Sequence, residues 1–219
     1  MATQSRRKST SVSEKLFSEP FRFSFFQATR LLQGIVRPAK NRRHSLPVGY
    51  DISPEDEPLR FSSPPSLKFP GSEVSQIAPH DQILINKDND IADIQVTFLG
   101  LSGQSGVLPT FFNELMLQRV REKDTSLKNF LDLFNHRSVS LFYRAWAKYR
   151  LPVSYESAKL RGPQLQDPIT EGLQSMLGLS GQALEKNLGI HAEDLLFYAG
   201  FFASPNRSAC ELEACLAEY

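Results

Sequence analysis

Gly100, Gly103 and Gly106 follow an alternating strand pattern and precede a helical one. A loop so placed could cradle phosphate, because backbone amides at a helix start attract anions. The spacing is G-x-x-G-x-x-G rather than G-x-G-x-x-G, and no Gly-Lys-Ser/Thr follows. Pro109 removes one amide donor near the helix start. The loop serines fall short of a nucleophile elbow, which needs glycine two residues before and two after. Ser102 has Gly100 before it but Gln104 after it, and Ser105 has Gly103 before it but Val107 after it. His44, His80, His136 and His191 are isolated and show no metal-ligand spacing. Asp132 and His136 form an i, i+4 pair that supports a helix, with no third group to complete a catalytic set. A local hydrogen bond is the expectation for His136. Glu55, Asp56 and Glu57 crowd between Pro54 and Pro58, which suits solvated loop acids. Cys210 and Cys215, in C-x4-C, make neither a zinc knuckle nor a disulfide framework. No catalytic residue, metal site or cofactor is expected from these groups.

The elements that would position them are those of a 219-residue soluble chain with 41% apolar and 22% charged residues. That length suffices for one large domain or two small ones. Sixteen phenylalanines favour aromatic cores and interfaces. Residues 1–50 carry ten Lys/Arg against two Asp/Glu, a net +8, and residues 51–219 carry fifteen against twenty-two, a net −7. The basic residues gather at Arg6, Arg7 and Lys8 and again at Arg37, Lys40, Arg42 and Arg43. They read as a mobile tail plus a basic loop, or as a contact for an acidic partner. No apolar run approaches a membrane span; Leu195 to Ala203 is too short.

Residues 1–19 are expected to be a flexible basic tail, 20–150 an α+β domain and 151–219 a helical region. Ser24 to Gln27 has capping-box form, with Phe23 placed to staple onto Ala28 and the helix stopping near Gly34. Strands are expected at 59–62, 74–77 and 82–86, and Ile94, Val96 and Phe98 alternate as a strand of an antiparallel sheet. Helices are expected from Thr110 to about Glu122 and from Asp124 to Arg150, where Leu151-Pro152 ends the second. Residues 152–168 read as a linker. Helices near 169–177, 181–188 and 192–203 follow, with a last one after Ser204-Pro205. The fold class is α+β, mainly helical, with a small antiparallel β part and a long central amphipathic helix. On that helix Leu127, Phe130, Leu131, Phe134, Leu141, Phe142, Ala145 and Tyr149 form one stripe. The stripe is expected to face the core. Leu133, Val139, Tyr143 and Trp146, with Arg137 and Arg144 along the edge, are expected to meet a partner.

Three blocks resemble the TssG (ImpH/VasB) family of type VI secretion baseplate subunits: Phe25-Phe26-Gln27 with Arg30, Phe98 to Gly103 with Gly106 and Pro109, and Phe130 to Arg137 with Leu141 to Trp146. The blocks come in the family's order. The resemblance implies a cytoplasmic, non-enzymatic scaffold on the inner-membrane complex that joins two copies of TssF and contacts TssK and TssE. It implies no nucleic acid, membrane span or small-molecule substrate, and a chain stopping short of the family's C-terminal region. The alternatives are a hydrolase or nucleotide-dependent enzyme using the 100–106 loop, and a basic-tailed nucleic-acid binder.

Overall fold

A computed structural model of the protein describes residues 11–35, 46–51, 57–79, 92–103, 106–161, 167–179, 192–203 and 208–218. The chain opens with helix α1 (Val12–Ser18), where Ser11 and Glu14 form a reciprocal capping box. Leu16 of α1 is fully buried. The expected flexible tail therefore gives way to packed helix from Val12; residues 1–10 lie outside the described set. A 3-10 turn (Pro20–Arg22) leads into α2 (Phe25–Ile35), which ends one residue past Gly34. The amide of Phe25 donates to the Glu73 carboxylate at 2.7 Å, so a distant acid satisfies one orphan donor of the helix start.

Strands β1 (Leu59–Ser62), β2 (Val74–Pro79) and β3 (Ala92–Val96) make a sheet in the order β1-β3-β2. β3 pairs antiparallel with β2, Ile77 opposite Ile94. It pairs parallel with β1, Phe61 opposite Ile94. The sheet is thus mixed, not antiparallel, because β1 reaches the far side of β3 rather than joining β2 in a hairpin. Ile94 and Val96 face inward as the alternation predicts, together with Ala92, while Phe98 lies beyond the end of the strand. The expected strand at 82–86 lies outside the described residues, as does the helix at 181–188.

Helices α3 (Thr110–Arg121) and α4 (Ser126–Ala147) follow. The Asp124 carboxylate accepts the Ser126 amide at 3.0 Å as α4 begins. At 22 residues α4 is about 33 Å long. The first part of the expected linker is helix instead: α5 spans Leu151–Arg161, and residues 162–166 lie outside the described set. Pro152 lies in the first turn of α5, where a missing N–H costs nothing, so Leu151-Pro152 starts a helix as well as ending one. Val153 of α5 belongs to the same core cluster as Leu16, Phe25 and the sheet. Helix α6 (Pro168–Met176) is capped by Asp167, whose carboxylate takes the amides of Ile169 and Thr170 and the Thr170 hydroxyl. Shorter helices run at Ala192–Phe197, Ala199–Ala203 and Ala209–Glu218. The mainly helical α+β class holds.

The hub of the core is Phe25. Its ring lies 5.1 Å from Phe98, 5.3 Å from Phe26, 5.6 Å from Phe61 and 6.3 Å from Tyr143. Phe26 in turn stacks on Trp146 at 4.3 Å. Three separate sequence blocks therefore meet as one aromatic cluster joining α2, the end of β3 and α4.

Candidate interaction site: a helix with its polar face inward

Strand β1 is a sheet edge, and an edge strand presents amides that β pairing leaves free. Helix α4 covers it with polar side chains at i, i+3 and i+4. The Asp132 carboxylate accepts the Ser63 amide at 3.1 Å and is itself held by Lys128 at 2.8 Å and by Asn135 at 3.0 Å. Asn135 accepts the Leu101 amide at 2.8 Å. His136 Nδ1 accepts the Phe61 amide at 3.1 Å, so the ring proton sits on Nε2 and is donated to the Glu57 carboxylate at 2.6 Å. Glu57 also takes the Gly49 amide at 3.1 Å. Burial pushes the Glu57 carboxyl up, but the hydrogen bonds from His136 and from the Gly49 amide outweigh it and hold it below its usual range.

Two expectations change here. Asp132 and His136 do not pair with each other; Lys128 and Glu57 are nearer partners. Glu57 is buried, not a solvated loop acid, because the hydrogen bonds of His136 and Gly49 compensate its desolvation. A pH dependence follows. With its folded pKa depressed, Glu57 contributes stability above its ordinary pKa of about 4.3 and loses it as the pH falls through the folded value. Glu57→Gln should therefore lower stability at neutral pH by on the order of 1–2 kcal/mol. The gap from wild type should narrow in urea titrations below the ordinary carboxyl range.

The glycine loop serves packing. Three of its amides are engaged within the chain: Leu101 to Asn135, Gly103 to the Asn113 side chain at 3.0 Å, Gly106 to the Gly103 carbonyl at 3.1 Å. They do not point together at an open anion site. Gly103 alone of the three has positive φ, +99°. Gly106 is needed for close approach, since a Cβ there would lie 2.6 Å from the Leu101 carbonyl oxygen. Gly106→Ala should cost about 1–3 kcal/mol through the forced backbone shift, read as a lower urea midpoint. Pro109 sits at the N-cap of α3 with φ −55°. Gln27 is exposed, and Arg30 forms an ion pair with Glu156 at 2.5 Å.

With Asp132, Asn135, His136 and Ser140 turned inward, the apolar stripe of α4 faces out. Phe130 is 56% exposed, Phe134 53% and Leu133 61%, and Leu141, Phe142 and Tyr149 are exposed as well. Phe130 and Phe134 touch edge to face at 5.3 Å. Across residues 122–125, α3 adds exposed Phe111, Phe112 and Leu115.

The expected facing of α4 is thus reversed. Val139 (1% exposed) and Tyr143 (2%) lie in the subunit core, not at an outer flank. Tyr143 is a wall of the Phe25 cluster, and burial raises its hydroxyl to about 12. Trp146 is half-buried on Phe26, so its substitution strikes the fold itself. Arg137 and Arg144 both donate to the Gly49 carbonyl, at 3.2 and 2.8 Å, and so serve the chain's own loop. Of the six expected partner-binding residues, Leu133 is the apolar one left on the outer face. His44, His80, His191, Glu55, Asp56 and the basic residues at 6–8 and 37–43 lie outside the described residues.

The chain was compared with known proteins. The family model described as "Type VI secretion, TssG" matches residues 19–219. No curated protein and no solved structure matches it.

Proposed function

The chain belongs to the TssG family of type VI secretion, whose members are structural subunits of the baseplate, and from that premise we propose that it acts as a wedge scaffold whose α4 outer face docks partner helices. On this reading the partners are TssF, in two copies, with TssK and TssE recruited to the same wedge. The work is assembly rather than catalysis, in the cytoplasm against the inner-membrane complex. No helix among the described residues is long and apolar enough to cross a membrane.

The observation that carries the reading is the inverted helix. Phe130, Phe134, Leu141 and Ala145 recur at helical spacing on the exposed side of α4, while its inward side carries the hydrogen-bonding groups Asp132, Asn135, His136 and Ser140 beside Val139 and Tyr143. An apolar stripe at this spacing is what a helix-in-groove contact reads. Large exposed apolar faces on soluble proteins mark interaction sites. Aromatic residues such as Phe130 and Phe134 are enriched at the centres of such contacts. The test is co-expression with TssF and a mass measurement of what co-purifies, for the wild type and for Phe130→Glu/Phe134→Glu. A lone wild-type monomer would count against the scaffold role.

A further inference from the structure

A cleft of about 610 Å³ opens between α4, α5, the start of α6 and the 46–51 loop. Its floor is apolar, with Val48, Ala158 and Ile169, and its walls carry Arg144, Lys148 and Arg161. The guanidinium groups of Arg144 and Arg161 lie 4.5 and 5.2 Å from the centroid of one ring, that of Tyr50. Bringing two like charges to one aromatic ring, with an ammonium nearby, is unfavourable unless an anion answers them. Among the described residues none of the three cations has a carboxylate partner. Asp167, the acid lining the cleft, is buried and occupied in capping α6. Arg144 spends one N–H on the Gly49 carbonyl, and the Arg161 Nε is buried with no hydrogen-bond partner among the described residues.

We propose that this cleft is a second docking surface, taking an acidic, aliphatic segment of a partner protein. Carboxylates of the segment bind the forks of Arg144 and Arg161 while its aliphatic side chains cover the Val48–Ile169 floor. The planar guanidinium of an arginine presents a fork of N–H groups that matches a carboxylate, the arrangement in which arginine binds most specifically. The mixed floor and rim select against a bare anion, which gains nothing from the apolar part. The inference rests on the scaffold reading only in supposing that the occupant is a protein. It deepens that reading by assigning opposite chemistry to a surface that adjoins the C-terminal end of the α4 stripe at Leu141 and Ala145.

The test uses the full chain and a short fluorescein-labelled peptide of alternating glutamate and leucine, followed by anisotropy. The glutamine counterpart, inorganic phosphate and a single-stranded oligonucleotide are the comparison probes. Lys148→Glu, an exposed change that leaves the fold alone, and Arg161→Glu should each weaken the acidic peptide by about tenfold. The glutamine peptide should bind at least as weakly. Phe130→Glu/Phe134→Glu should bind the acidic peptide like wild type, since neither phenylalanine lines the cleft; failure of the stripe would thus leave this result standing. No binding of the acidic peptide, undiminished binding by both charge variants, or equal displacement by phosphate or oligonucleotide would overturn the proposal.

Discussion

Phe25→Ala is expected to remove about 3–5 kcal/mol of stability, the usual cost of deleting a fully buried phenylalanine. The side chain is completely buried, and four aromatic neighbours surround it from α2, β1, the end of β3 and α4. Those neighbours sit on separate elements held by the rest of the fold, so the space left behind collapses poorly. A domain of this kind has about 5–15 kcal/mol in all, so the variant should be near the edge of folding at 37 °C. Urea denaturation reads it directly: the midpoint falls while the slope is unchanged. A loss below about 1 kcal/mol would mean that Phe25 is not the joint between α2 and α4.

Phe130→Glu/Phe134→Glu should do the opposite. Both rings are more than half exposed in the lone subunit, so stability should stay within about 0.5 kcal/mol of wild type. Assembly should suffer heavily. Each ring buried in a partner contributes about 1.5–3 kcal/mol, and a carboxylate forced into the same apolar groove adds a desolvation penalty. Together these exceed the factor of a thousand that separates a nanomolar from a micromolar complex. Co-purification with TssF should be lost while urea midpoint and far-UV circular dichroism are kept. The separation of the two variants is itself informative: one damages the subunit and the other only its contacts.

Much of this was legible in the residues. The strand at 59–62, the alternation of Ile94 and Val96, and the start of α3 at Thr110 follow from period-two patterning and turn chemistry that tertiary structure does not override. The family blocks were visible too, as words such as FLDLFNHR. The facing of α4 was not, and the reason is physical. Periodicity locates a stripe but assigns it inward only on the assumption that apolar means buried. Here the buried face must supply acceptors to the free amides of edge strand β1 and the glycine loop, so Asp132, Asn135 and His136 go inside. No local pattern reveals that the neighbour is a sheet edge. The role of Glu57 was hidden likewise, since its partner His136 is 79 residues away. Pro152 misled because proline before a helix and proline after one look alike in sequence.

The central claim is that α4 turns its polar face to its own chain and its apolar face to a partner. Hydroxyl-radical footprinting of the lone chain and of its complex with TssF tests it most directly. Phe130 and Phe134 should be labelled strongly in the lone chain and protected in the complex, with Val139 and Tyr143 protected in both. Equal labelling of Phe130 and Phe134 in the two states, or labelling of Tyr143 in the lone chain, would contradict it.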